Sequence, residues 1–236
     1  MAAYRRVMVK LSGEALKSKE DLFDFGQVRS VAKVIAQMHG MGTQLGIVIG
    51  AGNIWRGRQG PAAQMDAVTA DQMGMLGTVI NCLCVADALR QVGVDAVVQS
   101  AVDMNRFAEP YNTMAARRHM EEGRVVLFAC GTGNPFFSTD TGVVLRAIEM
   151  EVDAIFMAKN IDGVYSADPR KDQTAVLIPD LTYQEALDRG LQVMDTAAFA
   201  LCAGNRVPMI RVFGLDQPEN LLKVLQGNTM GTKVHP

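Results

Sequence analysis

This chain has no P-loop of the form G-x-x-x-x-G-K-[ST], no H-E-x-x-H and no G-x-S-x-G, which excludes P-loop, zinc-peptidase and nucleophile-elbow chemistry. Histidine is scarce. His39, His119 and His235 fall on predicted helices or in the last residues rather than at strand ends, so a histidine-based hydrolase is not expected. Cys82, Cys84, Cys130 and Cys202 sit among apolar residues with no C-x-x-C or Cys/His spacing, which predicts reduced core thiols rather than a metal or redox motif. No apolar run approaches the roughly 20 residues that span a bilayer. Residues 1–10 hold only the short strand-like Val7 to Leu11, interrupted by Lys10, so no signal peptide is expected and the location should be cytoplasmic. Net charge is −2 and no Lys/Arg run exceeds two, so neither nucleic acid nor an anionic membrane is the expected partner. Any anion site must be local.

What is present is 236 residues, 49% hydrophobic and 20% charged, with 22 glycines: a globular chain able to bury a sizeable core. That length admits one large α/β domain or two small ones. Short buried runs alternate with helical patterns. Strands are predicted at Arg6 to Leu11, Leu45 to Ile49, Asp95 to Gln99, Arg124 to Cys130, Ala154 to Ala158 and Met209 to Phe213, with an edge strand within Thr229 to Val234. Val28, Val31, Ile35 and Met38 mark one helix face. From Gln64 to Gln91 the pattern is helical, with Met65, Val68, Met75, Leu76, Val79, Leu83 and Leu89 on roughly one side, a core or subunit-interface face. Further helices are expected at Thr113 to Glu122, after Thr139, after the capping box Thr182-x-x-Glu185, from Asp195 to Cys202, and from Asp216 to Leu225 with Pro218 in its first turn. This alternation predicts an α/β fold with a parallel sheet.

Chemistry concentrates where strands end. The stretch Gly131-Thr132-Gly133-Asn134-Pro135-Phe136-Phe137-Ser138-Thr139-Asp140 follows a buried strand and leads into a helix, with Ser138, Thr139 and Asp140 suited to the cap. Free amides and the positive end of a helix dipole make such a place an anion site, usually for phosphate. Lys10 stands at the carboxyl end of the first strand beside Ser12-Gly13, where a lysine is costly without an anion to meet. Gly50-Ala51-Gly52-Asn53-Ile54-Trp55-Arg56-Gly57 matches G-x-G-x-x-G only in part, and Arg56 suits a phosphate clamp. With the polar segment after Ala158, these loops converge on one sheet edge if the strands are parallel. There Lys10 and Arg56 would meet phosphates, and Asp140 and Asp168 could serve a metal or orient a lysine. Phosphoryl transfer, which needs positioning and cationic charge more than a nucleophile from the protein, fits this inventory.

Val9-Lys10-Leu11-Ser12-Gly13-Glu14-Ala15-Leu16, the 50–57 loop, Met73-Gly74-Met75-Leu76, the 131–140 stretch, Asp162-Gly163-Val164-Tyr165 through Asp168-Pro169, and Val193-Met194-Asp195 occur in this order. Together they resemble the bacterial uridylate kinases (UMP kinases) of the amino-acid-kinase superfamily, over nearly the whole chain. The resemblance implies a three-layer α/β/α sandwich with a central, mostly parallel sheet. It also implies one domain over residues 1–236, with about 1–150 mainly the UMP site and about 151–236 mainly the ATP site. The implied reaction is γ-phosphoryl transfer from ATP to UMP, giving UDP for pyrimidine nucleotide biosynthesis, with Mg2+, in an allosteric homohexamer. Lys10, Leu11, Ser12, Gly13, Gly52, Arg56, Asn160, Tyr165 and Asp168 would surround ATP. Ala51, Asp71, Thr132, Gly133, Asn134, Pro135, Phe136, Phe137, Ser138 and Thr139 would hold UMP, Asp71 at the ribose. Lys10 and Arg56 would be the catalytic cations, oriented by Asp140 and Asp195, with Mg2+ held mainly by the ATP phosphates and Asp168 nearby.

The chain departs from the family at Lys17 to Gly26, where a glycine-rich segment tied to GTP activation is usual, and at Ala51 and Trp55, where glycine and phenylalanine are frequent. An acetylglutamate-type or carbamate-type kinase would share the fold and Lys10 but not the 131–140 stretch or Asp71. A non-catalytic nucleotide binder would have no need of Lys10, Arg56, Asp140 and Asp168 together. An NAD-binding oxidoreductase fails on the incomplete glycine loops.

Overall fold

Side chains alternate strictly along the short apolar strands, and both of their faces are buried. Val7, Val9 and Leu11 point to one hydrophobic cluster while Met8 points to another; Val125, Leu127 and Ala129 oppose Val126 and Phe128 in the same way. A sheet that is apolar on both sides needs helices on both sides, and the chain supplies them. The computed structural model describes residues 2–57, 64–191, 194–205 and 207–236. The elements are β1 (Arg6–Leu11), α1 (Phe25–Gly40), β2 (Gln44–Ile49), α2 (Ala67–Gln91), β3 (Ala96–Ser100), β4 (Glu109–Pro110), α3 (Thr113–Glu121), β5 (Val125–Ala129), α4 (Thr139–Met150) and β6 (Ala154–Lys159). They continue as β7 (Val164–Tyr165), β8 (Leu177–Ile178), β9 (Asp180–Thr182), α5 (Tyr183–Asp188), α6 (Thr196–Asn205), β10 (Ile210–Gly214), α7 (Asn220–Leu225) and β11 (Thr232–His235).

Nine strands form one sheet in the order β4-β3-β5-β2-β1-β6-β10-β11-β9. Its pairs are parallel apart from β10 with β11. Helices α1, α2 and α7 contribute to the cluster on one face, and α3, α4, α5 and α6 to that on the other. The architecture is the three-layer α/β/α sandwich with a mostly parallel sheet.

Several expected elements are displaced. The sheet does not end on the strand expected within Thr229 to Val234: β11 lies between β10 and β9, because Lys233 to His235 also pair in parallel with Asp180 to Thr182. The last helix starts at Asn220, not Asp216, after a turn in which the Leu221 amide bonds to the Pro218 carbonyl. Helix α2 starts at Ala67, where Asp66 accepts the Thr69 amide as a cap.

The apolar face of α2 is also reassigned. Of the residues expected on one side, Val79 and Leu89 are buried, together with Ala70, Gly77, Cys82, Val85 and Ala86, while Met65 and Leu76 are exposed beside Met73 and Ile80. Small residues face the sheet because the helix comes very close to the loop after β2: a Cβ on Gly77 would stand 2.8 Å from the Ala51 Cβ. By length and composition α2 could cross a bilayer, with mean hydropathy 1.4 in its most apolar window. In this fold it packs on α1 and β3.

A buried amide pair secures that approach. Asn81 Nδ2 donates to the Gly50 carbonyl and to Asn53 Oδ1, both at 2.8 Å, and Asn53 Nδ2 donates to Asn81 Oδ1 and to the Leu22 carbonyl, both at 3.0 Å. Removing one partner strands buried polar atoms. Asn81→Ala should therefore lower unfolding free energy by about 1–3 kcal/mol in urea denaturation; a change within error would show the amides to be dispensable.

Candidate active site

Strands β5, β2, β1 and β6 are consecutive neighbours in the sheet and mutually parallel, so the loops after Ala129, Ile49, Leu11 and Lys159 leave from one edge. There they enclose a cavity of about 560 Å³. Of the residues picked from sequence, Lys10, Ser12, Gly13, Ala51, Gly52, Arg56, Asp71, Thr132, Asn134, Phe137, Ser138, Thr139 and Asn160 line it. Tyr165 and Asp168 line a separate cavity of about 400 Å³ with Lys159, whose chain neighbour Asn160 faces the first. Leu11 is buried, and its carbonyl accepts the Gly50 amide. Among the described residues, Leu11, Gly133, Pro135, Phe136, Asp140 and Asp195 line neither cavity. Val193 lies outside the described residues.

Asp140, in the first turn of α4, bridges two lysines on adjacent strands. Lys10 Nζ is 3.1 Å from Oδ1 and Lys159 Nζ is 2.9 Å from Oδ2, and all three side chains are at most 17% exposed. Burial pushes the Asp140 carboxyl up, but the charges of Lys10 and Lys159 outweigh it and hold the group below the carboxylate range. Burial pulls the Lys159 ammonium down, with repulsion from Lys10 adding to the effect, and Asp140 recovers only part of the loss. Two cations on one anion leave the bridge itself with a net positive charge, and it meets the main cavity through Lys10 and the second through Lys159. The sequence assigns Lys159 no role, although the signal is the one that finds Lys10: a lysine at the carboxyl end of a buried parallel strand. The two strands are neighbours, with Leu11 opposite Ala158.

Helix α4 brings its N-terminus to this bridge. Ser138 caps it, accepting the Asp140 and Thr141 amides at 3.0 and 3.2 Å. The preceding loop is contorted: Cys130 and Phe136 take φ of 63° and 72° without being glycine. Its supports are specific. Arg146 donates to the Gly131 carbonyl at 3.0 Å while lying 3.7 Å over the Tyr111 ring. Asp71, from α2, accepts the Phe136 amide at 2.7 Å. A Cβ on Gly142 would sit 3.0 Å from Gly131 Cα, so glycine there lets helix and loop meet.

The orientation of cations expected of Asp140 and Asp195 divides differently. Asp140 takes Lys10. Arg56 is held by Glu14 at 2.5 Å, and Asp195 accepts the hydroxyls of Ser138 and Thr141 and the Ala198 amide, tying α4 to the start of α6. Asp168 pairs with Arg170 at 3.1 Å in the second cavity. Trp55, the single tryptophan, lines the main cavity and donates from Nε1 to the Ala70 carbonyl at 2.8 Å. A lysine, an arginine, glycine-bearing loops and a helix N-terminus around one cavity, with a second lysine lining the neighbouring one, can hold more than one phosphate and stabilise charge passing between them.

Residues 5–212 match the profile of the Amino acid kinase family. Among solved structures, the chain is similar to a UMP kinase from Bacillus anthracis, at 36% identity and TM-score 0.93 over 98% of this chain and 96% of that one. A UMP kinase from Ureaplasma parvum gives 34% identity and TM-score 0.92 over 98% and 99% of the two chains. A uridylate kinase from Archaeoglobus fulgidus gives 26% and 0.71 over 97% and 99%.

The lysine pair makes stability depend on pH in a defined way. Because the Asp140 pKa is lowered on folding, its contribution is present above its ordinary 3.8 and is lost as pH falls through the folded value. Lys159 is lowered from 10.5, so its ionisation makes stability rise with pH between the folded value and 10.5. Asp140→Asn should cost about 3–5 kcal/mol at neutral pH, the usual loss on breaking a buried ion pair. It should also flatten the acid limb and steepen the alkaline rise in denaturation measured across pH. A parallel pH profile would remove the bridge from the stability account.

Proposed function

The chain belongs to the amino acid kinase family, and from that premise we propose that it is a UMP kinase, an ATP-dependent phosphotransferase that moves the γ-phosphoryl group of ATP onto UMP to give UDP. The observation that carries this reading is the Lys10–Asp140–Lys159 bridge, whose Lys10 lines a cavity that the 131–139 loop helps to wall and whose Lys159 lines the second cavity, in a chain alike end to end to UMP kinases.

A nucleoside monophosphate is a ready nucleophile. Its second phosphate pKa is about 6, so the attacking oxygen is ionised at neutral pH and no general base is needed. The protein's task is to bring two anions together and hold them in line. Lys10 sits where charge develops between donor and acceptor, and Asp140 holds it at a fixed spacing from Lys159 without cancelling their sum. Arg56 clamps phosphate oxygens from the β2 loop. The amides of residues 131–139 and the α4 N-terminus receive the UMP phosphate and uracil, and Asp71 the ribose hydroxyls. On the donor side, Ser12, Gly13 and Gly52 face the ATP phosphates in the main cavity, while Asn160, Tyr165 and Asp168 lead to the second cavity, which suits the nucleoside end. Leu11, with its side chain buried, contributes backbone only. Residues up to about 150 thus supply mainly the acceptor site, and those from 151 onward mainly the donor nucleoside site, within one domain.

Among the described residues no group of three or more His, Cys, Asp or Glu side chains could hold a metal ion, and Asp140 is already neutralised by two lysines. Mg2+ would be held mainly by the ATP phosphates, with Asp168, which lines the second cavity, the carboxylate on the ATP side. When bound, it would neutralise phosphate oxygens that the lysines do not reach. The exposed Met73, Leu76 and Ile80 on α2 support a subunit interface on that helix, of the kind the proposed homohexamer needs, and four free cysteines support a reducing, cytoplasmic setting.

With ATP and Mg2+, purified protein should phosphorylate UMP in preference to CMP and to N-acyl amino acids in a coupled assay. Equal turnover of CMP would sink the uracil assignment. Lys10→Ala should reduce turnover on the order of 100- to 1,000-fold, as for other transition-state charge partners; an unchanged rate would remove Lys10 from the mechanism.

A further inference from the structure

Lys10 has Asp140, but the other cation lining the main cavity, Arg56, depends on a carboxylate that the sequence motifs contain but give no role. Glu14 lines the cavity in the short 3-10 turn Gly13–Leu16. Its Oε1 accepts from Arg56 Nη2 at 2.5 Å and its Oε2 lies 2.5 Å from Lys17 Nζ. The Glu14 side chain is only 17% exposed, whereas that of Arg56 is 59% exposed. Its amide donates to Ser12 Oγ at 3.3 Å, and a Cβ on Gly52 would stand 3.5 Å from its Oε1. One carboxylate therefore joins the loop after Lys10 to the loop that carries Arg56.

We propose that Glu14 is a positioning residue for phosphoryl transfer: it fixes the Arg56 guanidinium at the wall of the phosphate cavity, and does so at the expense of ground-state affinity for the anionic nucleotides. The inference rests on the kinase reading above. A carboxylate in a cavity for polyphosphate repels the substrate and neutralises part of the charge that would attract it. A merely structural pair would be as well placed outside the cavity. Here the anion faces the ligand space, and what it secures is a long, mostly exposed side chain with several rotatable bonds, whose ordering is entropically costly. Interactions that orient a group for the transition state raise turnover even when they weaken ground-state binding. Burial raises the Glu14 carboxyl, and the hydrogen bonds and charges of Lys17 and Arg56 bring it below its ordinary value, so it remains an anion through the neutral range.

The test is a split between turnover and binding. Glu14→Gln keeps the shape, removes the charge, and leaves Arg56 and Lys17 unneutralised. Its kcat with ATP, Mg2+ and UMP should fall about 10- to 100-fold, the loss associated with a misplaced group, while ATP should bind several-fold more tightly by calorimetry. Glu14→Asp, with the charge kept and the reach shortened, should lower kcat and leave ATP affinity near that of the wild type. In an Arg56→Ala background, Glu14→Gln should add little further loss of kcat. An unchanged kcat in Glu14→Gln, weaker ATP binding, or losses additive with Arg56→Ala would overturn the proposal. If Glu14→Gln does not fold, the same decision falls to Glu14→Asp: a normal kcat there refutes it. Failure of the wild-type protein to turn over UMP would instead count against the kinase reading, and the Glu14 proposal would then stand or fall on the calorimetric comparison alone.

Discussion

One carboxylate between two ammonium groups organises this molecule. Asp140 can meet Lys10 and Lys159 together only because β1 and β6 are adjacent parallel strands whose carboxyl ends place both lysines at one edge. It can reach that edge only because α4 begins there, capped by Ser138. Sheet order, strand polarity and the start of one helix thus converge on a single electrostatic bridge. The bridge is overcompensated: it keeps a residual positive charge in an otherwise acidic chain, of net charge −2.

The remaining site is arranged to keep contorted backbone in place around that charge. The loop before α4 holds Cys130 and Phe136 in left-handed conformations. Arg146 beneath it, Asp71 across from it and Asp195 at its exit each take a different polar group of the loop or cap. None of these contacts is long-range electrostatics. Each is a short hydrogen bond that restricts where an amide, carbonyl or hydroxyl can point.

How much of this could be read from sequence depended on whether the signal was local. Strands β1, β2, β5 and β6 were legible because each is a continuous apolar run ending at a polar or glycine residue, and the loops after them carried most of the cavity lining. The hairpin of β7 and β8 was not legible, since two-residue strands have no period, and β9 was hidden beside it for the same reason. The face of α2 was misread because size, not hydrophobicity, decides which side meets the β2 loop: Gly77 and Ala70 go in while Leu76 stays out. Asn53 and Asn81 looked like ordinary polar residues, and only their pairing across 28 positions gives them a purpose. Lys159 and Glu14 were in view but unassigned, because which charge pairs with which is a property of loops meeting in space.

Trp55 gives the molecule one more property. It is the sole indole in the chain, it borders the main cavity, and its ring N–H is committed to a carbonyl of α2 while its backbone neighbour is Arg56. Its ultraviolet emission therefore comes from a single place, free of the averaging that several tryptophans impose. The protein carries a built-in optical label on the loop that bears Arg56, at a position where solvent leaving the cavity alters the polarity around the fluorophore.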